Sequence, residues 1–370
     1  MMRLSLHRLL PLVLAAPAVG AQSIGDIGAR IAPQFYSYSL AAPSNTKVSE
    51  LAIPLFVIVP VTQSLSFDVG SAFAQSRVVE TTAGTSTTSS ISGLTDTQVR
   101  ANYVLGTDFV VLTAGLNLPT GRATVAPNQL VAASLIGSDF LNLPVPAMGI
   151  GFGGTGGVAV ARPIGDDWNL GAGLSMRKSA EYSPVDAAGG TPLRYQPGNE
   201  YRARVGVDRA FGTGRITLGV TYSTFGDDNL AGSVYNTGNR YLTQFSLDNT
   251  VGPGQLTVVG WNLFRTAGTL ADSTYLPHDN ITDAALSYGI NVGSVLVEPN
   301  IEGRTWFQAS GIPASLMTVI GVRTQLSLAG YAILPSIGYA FGRVASQTDT
   351  GVNTTAGLTG LHALLAIRLR

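Results

Sequence analysis

Acid–base and nucleophilic chemistry has little to work with in this chain: three histidines, no cysteine, and 22 carboxylates spread over 370 residues. Without cysteine there is no thiolate nucleophile, no zinc–thiolate site and no disulfide. His7 lies in a basic N-terminal stretch, His278 in the loop-like run Tyr275-Leu276-Pro277-His278-Asp279, and His362 close to the C-terminus. Nucleophilic catalysis requires a base beside the nucleophile. His362 with a serine on the same face is the arrangement to weigh. A lone histidine on a polar face reads first as a lining group, so no catalytic residue is assigned, nor any metal ligand or cofactor. Gly149-Ile150-Gly151-Phe152-Gly153-Gly154 matches the dinucleotide pattern G-x-G-x-x-G. Such a turn must follow a buried strand and open a helix. Here Val158-Ala159-Val160-Ala161-Arg162-Pro163 continues as an alternating strand, and the glycines are read as allowing a bend or the close approach of a loop.

The elements that carry these residues must suit a chain poor in charge. Charged residues make up 12% of it, about half the ~25% of a soluble globular protein, against 45% apolar residues and 44 glycines. Beyond the N-terminus the longest run free of polar residues and of glycine is 51–61, interrupted by Pro54 and Pro60, whereas a spanning helix needs ~20 apolar residues. Low charge, abundant glycine and no spanning helix fit a closed transmembrane β-barrel. At the N-terminus, Arg3, His7 and Arg8 precede a short apolar core over residues 9–19, and Val19-Gly20-Ala21 supplies the small residues of a cleavage site. Residues 1–21 are therefore read as a signal peptide and 22–370 as one barrel domain. Removing the signal leaves 20 basic against 22 acidic residues, which gives no electrostatic footprint for nucleic acid.

Alternation of apolar and polar residues recurs along the rest of the chain, the period-2 sign of strands with one apolar face. In residues 215–225, Ile216, Leu218, Val220 and Tyr222 share one face and Thr217, Gly219, Thr221 and Ser223 the other. Tight turns are expected at Thr62-Gln63, Gly106-Thr107-Asp108, Gly165-Asp166-Asp167, Gly212-Thr213-Gly214, Gly252-Pro253-Gly254, Asn291-Val292-Gly293 and Ala329-Gly330. Longer polar segments lie between them, among them 81–90, 186–198, 227–239, 271–280 and 349–357. Short turns on one rim and long loops on the other are the outer-membrane arrangement. One strand before the first turn, two around each of seven turns and one at the C-terminus give an all-β, antiparallel, up-and-down barrel of about 16 strands, with 14 as the alternative. The prolines in 51–61 argue against a central strand there.

Charge on the lipid-facing side of a barrel costs ~2–4 kcal/mol for Arg or Lys at mid-depth, so the polar face must look inward. Arg100, Arg177, Arg202, Arg204, Asp208, Glu298, Glu302, Arg304 and Arg323 are accordingly expected in a wet lumen as its lining and charge selectivity, with Arg202 and Arg204 facing Glu298 and Glu302 from opposite walls. Phe109, Trp168, Tyr182, Phe225, Phe264 and Phe307 near strand ends are expected in interfacial girdles. The third long loop, residues 119–149, is unusually apolar. Leu130, Val131, Leu135, Ile136, Phe140 and Leu141 are costly to expose, so the loop either folds into the lumen as a constriction or packs at the rim.

With its signal peptide, hairpin period and terminal strand Leu361-His362-Ala363-Leu364-Leu365-Ala366-Ile367-Arg368-Leu369-Arg370, the chain resembles bacterial outer-membrane β-barrels. Leu116-Asn117-Leu118-Pro119-Thr120-Gly121 is similar to the Leu-x-Leu-Pro-Thr-Gly segment of barrels linked to phenol and aromatic-compound degradation. The resemblance implies a passive channel in the cell outer membrane for small solutes, hydrophobic or aromatic ones included. It implies outer-membrane lipid, lipopolysaccharide and the barrel-assembly machinery as partners. Arg370 stands where the assembly signal of such barrels usually has an aromatic residue. The first strand starts too close to Gln22 for the N-terminal hatch of fatty-acid channels. The alternative readings are a surface or structural barrel without transport, or an outer-membrane enzyme.

Overall fold

In a computed structural model, residues 28–369 are described apart from 42–44, 107–108, 187–189, 309–310, 329 and 348–351; the expected signal peptide lies outside the described residues. The strands in chain order are β1 (Gly28–Ile31), β2 (Gln34–Ala41), β3 (Asn45–Pro60), β4 (Leu65–Thr82), β5 (Thr85–Leu94), β6 (Thr97–Leu105), β7 (Val110–Leu118), β8 (Gly153–Ile164), β9 (Trp168–Ser179), β10 (Tyr195–Gln196), β11 (Glu200–Phe211) and β12 (Gly214–Phe225). They continue with β13 (Asp228–Leu230), β14 (Ser233–Tyr235), β15 (Arg240–Val251), β16 (Gly254–Arg265), β17 (Gly268–Thr269), β18 (Tyr275–Leu276), β19 (Asp279–Val292), β20 (Val295–Phe307), β21 (Ser315–Leu328), β22 (Tyr331–Gln347) and β23 (Asn353–Leu369). β10, β13, β14, β17 and β18 decorate the loops. In two places a pair of short strands forms one stave, β1 with β2 and β5 with β6, so the wall has 16 staves. All neighbours are antiparallel, and β1 and β2 both pair with β23, which closes the barrel. Closure leaves the wall no edge, apart from the side of β5 turned away from β4, and this is the condition for a sheet in lipid, where unpaired backbone groups cost several kcal/mol each.

The expected tight turns all fall between consecutive strands on one rim, those at 106–108 and 329–330 lying partly outside the described residues, and turn glycines such as Gly212 (φ 51°) and Gly252 (φ 57°) adopt the left-handed geometry of two-residue hairpins. Alternation holds around the circumference. Leu116, Leu174, Val205, Leu218, Leu286, Ile320 and Leu361 are exposed on the outer face, while their sequence neighbours turn inward.

Two expectations fail, each for a local reason. Residues 51–60 do form part of a central strand, β3. Pro54 cannot donate to a ladder, but it lies opposite the break between β1 and β2 at Ala32-Pro33, and its carbonyl accepts from the Ala32 N–H at 3.1 Å. The missing donor falls where no neighbouring acceptor waits. Residues 81–90 are not a long loop but a hairpin: Ala83 (φ 50°) and Gly84 (φ 81°) make the turn, and Thr85–Leu94 is β5. The threonines and serines that read as loop are strand residues standing above the apolar belt. Two of the expected girdle residues are also misplaced. Phe225 shares a face with Ser223 and carries the Arg240 guanidinium over its ring at 5.2 Å, and Tyr182 packs against Tyr195 in an outer loop.

The sidedness of the wall is directly measurable. Leu174, 63% exposed at the middle of β9, is expected to cost about 2–4 kcal/mol of folding free energy as Leu174→Arg. Ser246→Arg, on the inner face of β15, is expected to cost less than half as much in urea titrations of barrel folded into lipid vesicles.

Candidate functional site

The third outer loop, residues 119–152, runs inside the barrel. Its two roots are tied by one carboxylate. Asp96, at the break between β5 and β6, accepts from the Gly121 N–H (3.0 Å), from the Ile150 N–H (2.7 Å) and from Asn117 Nδ2 (2.8 Å). Hydrogen bonds to a charged group contribute about 1.5–3 kcal/mol each, so Asp96 is the strongest single constraint on the loop's path. The roots cross so closely that a Cβ on Gly121 would lie 2.2 Å from the Met148 carbonyl oxygen. Thr120 completes the joint, its Oγ1 accepting from the Thr97 N–H at 2.8 Å. The Leu-Pro-Thr-Gly segment is thus the hinge-post of an inward loop. Gly149, from the dinucleotide-like run, allows the other close approach: its Cβ would meet the Ala123 nitrogen at 2.9 Å.

From that root the loop makes a 3-10 turn (Pro127–Gln129) and a short helix, α1 (Leu130–Ile136). Ala132 and Ile136 are buried toward β4 and β5, and Ser89 on β5 accepts from the Ala132 N–H and donates to the Asn128 carbonyl. The tip reaches the far wall. The Phe140 carbonyl accepts from Arg304 Nη1 (2.8 Å), and the Leu141 carbonyl accepts from the Tyr38 hydroxyl (2.9 Å). Asp139 pairs with Arg265 at 3.1 Å, and the Phe140 ring lies 5.9 Å from that of Trp306. On the return, the Val145 N–H donates to Glu50 (2.7 Å), which also accepts from Ser76 (2.8 Å).

Of the six loop residues singled out from sequence, Ile136, Phe140 and Leu141 are buried and Leu135 packs against them. Leu130 and Val131, 42% and 41% exposed, occupy the opposite side of α1. The buried ones join a single apolar cluster with inward residues of the wall such as Val48, Ala74, Ile91, Ile281 and Met317. Where the loop enters, the interior is therefore a packed core and not the wet lumen expected of the inner face.

Arg304 is the polar anchor of that core. It and Asp283 are each only 4% exposed; its Nε donates to Asp283 and its Nη2 to Glu302, both at 2.7 Å, and its third arm holds Phe140. Trp261 covers it, ring centroid 5.6 Å away. Apart from Arg177 and Arg204, the other expected lining charges are neutralised locally, not across the lumen. Arg100 meets Asp68 at 2.9 Å, Arg323 meets Glu298 on the adjacent strand, Arg202 meets Glu200 at 2.5 Å, and Asp208 meets Arg215. The expected facing of Arg202 and Arg204 with Glu298 and Glu302 is absent: Arg202 pairs with Glu200, the two glutamates pair with Arg323 and Arg304, and Arg204 contacts only Gln244. His362 stacks on Tyr36 (4.4 Å) and lies edge-on to Tyr38, with its Nε2 buried and without a hydrogen-bond partner among the described residues.

The remaining wall is different. β9, β11, β12 and β15 contribute to none of the loop's bonds described above and to none of its apolar cluster. On their inner face Arg177, Arg204 and Arg240 have no carboxylate partner among the described residues; Arg204 contacts Gln244 at 3.4 Å and Arg240 stacks on Phe225. Sequence reasoning missed Tyr38, Glu50, Asp96 and Asp283. On the walls that meet the loop the inner face is itself apolar, so a buried carboxylate such as Glu50 stands among Val48 and Ala52 with no polar face to announce it.

No family model matches the sequence, and no curated protein matches it either. Among solved structures, the Pseudomonas aeruginosa protein OccK7 is 8% identical with a TM-score of 0.45, covering 93% of this chain and 99% of that one. A deltaS2 mutant of TodX, named a monoaromatic hydrocarbon channel, is 10% identical with a TM-score of 0.46, covering 93% and 90%. OmpT, an outer membrane protein of Vibrio cholerae folded in vitro, is 10% identical with a TM-score of 0.44, covering 93% and 96%.

Removing Arg304 strands the buried carboxylate of Asp283 and the half-buried one of Glu302. Arg304→Met is expected to destabilise the barrel by about 3–5 kcal/mol, the usual cost of breaking a buried pair, and Asp283→Asn in the same chain to recover part of it, as read by urea titration. Asp96→Ala is expected to leave the wall intact but make residues 122–148 cleavable by added protease, with an uncut loop counting against the tie.

Proposed function

We propose that this protein is a passive outer-membrane channel for small solutes, narrowed by its third outer loop and biased by charge toward anions with an apolar or aromatic body. The observation that carries the reading is the division of the lumen. The loop is fixed to β2, β3, the β5–β6 break, β16 and β20 by Tyr38, Glu50, Asp96, Arg265 and Arg304, while the wall of β9, β11, β12 and β15 keeps three cations with no carboxylate partner among the described residues.

A solute passing between them meets Arg177, Arg204 and Arg240 on one side. A charged lining in a low-dielectric tube concentrates ions of opposite sign and repels their counterparts. On the other side it meets the exposed flank of α1, where Leu130 and Val131 offer apolar contact to a ring or short chain. Both contacts are weak and neither encloses the solute, so binding is shallow enough for release and movement follows the concentration gradient. The outer-membrane setting is supported by the apolar outer face, the closed sheet and the contrast between a rim of tight turns and a rim of long loops.

Planar-bilayer recordings test this directly. In a KCl gradient the wild type is expected to show a reversal potential favouring chloride, and replacing Arg177, Arg204 and Arg240 with Gln is expected to move it toward zero. Deleting residues 130–143 is expected to raise single-channel conductance. A barrel that stays silent both with and without the loop segment would overturn the channel reading in favour of a structural or surface role.

A further inference from the structure

On the outer face, at the loop-bearing rim, β22, β23, β2, β3 and β4 form a shallow concavity of about 880 Å³ lined by Ser39, Ala41, Lys47, Arg77, Phe341 and Thr359 among others. Its floor is made of small outward residues on β23 and β2: Gly357 and Thr359 beside Ala41 and Ser39. Cations stand on both sides. Arg343 lies next to Gly357 on β22, and Lys47 lies next to Ser39 on β3, with Arg77 on the diagonal through Ser49. All three are exposed, and none has an ion-pair partner among the described residues. The same five strands carry three carboxylates, Glu50, Asp68 and Glu80. All three alternate to the inner face, with Glu50 and Asp68 buried there. The outer face here is purely cationic.

Its height in the membrane follows from strand geometry. Val59 stands at the turn-bearing end of the outer face of β3, and Lys47 is twelve residues above it. At ~3.4 Å per residue and a tilt of ~45°, that is a rise of about 29 Å, just beyond the ~25 Å apolar band. Below the concavity the outer residues are apolar: Phe35, Leu51, Leu361 and Ile337 are all exposed. From Arg343 across to Lys47 is three strand spacings, about 14 Å, the scale of a disaccharide bearing a phosphate at each end.

We propose that this concavity binds the phosphorylated glycolipid of the outer leaflet, lipopolysaccharide, with Arg343 on one side and Lys47 and Arg77 on the other holding its two headgroup phosphates. The sugar backbone lies over the small-residue floor, and the acyl chains run down the apolar face beneath. Charge complementarity selects the occupant: a protein partner would need a concentrated anionic patch at membrane depth, whereas a phosphorylated glycolipid supplies it there. The proposal rests on the outer-membrane reading but not on the channel, since these side chains face away from the lumen.

Native mass spectrometry of barrel refolded in detergent provides the test, with bisphosphorylated lipid A as the probe. Wild type is expected to retain one lipid A, and to hold the dephosphorylated form at least tenfold more weakly. Lys47→Gln combined with Arg77→Gln and Arg343→Gln is expected to lose that preference while bilayer conductance stays at the wild-type value. Equal retention of the phosphorylated and dephosphorylated forms by wild type overturns the proposal without recourse to the variant. So does equal retention of phosphatidylglycerol, which would mean general attraction of anionic lipid, or displacement by millimolar inorganic phosphate, which would mean a simple anion site. Because conductance is recorded separately, a silent barrel that still binds lipid A sinks only the channel reading.

Discussion

Everything in this molecule depends on the rule that no backbone N–H or C=O can go unpaired where lipid replaces water. The rule forces the sheet to close, and closure through β23 onto β1 and β2 fixes which residues look outward. Once closed, a strand has a single choice of face per residue, because a slip of one position would turn every leucine inward and every arginine outward. The register is therefore held by some sixteen ladders at once, and small local faults can be absorbed. Pro54 is tolerated because its missing donor coincides with a break in the adjacent stave, and the gap between β5 and β6 leaves Asp96 free to turn its carboxylate toward the loop.

A barrel of this size encloses more space than its inward side chains fill, and the third loop resolves the mismatch. By entering, its apolar residues find what a soluble domain would call a core: Phe140, Leu141, Leu143 and Val145 against Tyr38, Val48 and Met317. The entropy of ordering a thirty-residue loop is large. It is offset by that burial together with a few strong polar ties placed at the roots, the tip and the return. Arg304 shows why such ties are ionic. A buried guanidinium with three acceptors on three sides fixes direction as well as distance, which an apolar contact does not.

What could be read from the sequence follows from this division. Strand number, turn positions and the sorting of Arg100, Arg177, Arg202 and Arg204 to the inner face were legible because membrane and lumen impose opposite demands on alternate residues. The apolar character of residues 130–143 announced a segment unfit for water, but not its destination. The loop's own contacts were illegible for the reason that makes it stable: where the wall meets the loop the inner face is apolar in place of polar, so the period-2 sorting of polar residues inward fails at Val48, Ala52, Met317 and Val319. Glu50 and Asp283 vanish into that background. The girdle assignment failed at Phe225 because an aromatic ring near a strand end serves equally well at a lipid interface or beneath an arginine. Residues 81–90 misled for a related reason, since strands that rise above the apolar belt are solvated on both faces and take on the composition of a loop.

The two halves of the interior also differ in how freely they can change. On the loop-bearing side, each polar group is fixed by geometry: moving Asp283 or Glu50 leaves a partner buried without a bond, so substitutions there are penalised through stability. On the side of β9, β11, β12 and β15 three of the charges stand without such obligations. Among the described residues Arg177 and Arg240 touch no carboxylate, and Arg204 only an amide, so a change of sign or size at these three alters the field inside the tube while leaving the packed half untouched. A scaffold arranged in this way separates the part that holds its shape from the part that, in the proposed channel, sets what passes. On that proposal, selectivity is tuned one residue at a time without reopening the problem of folding.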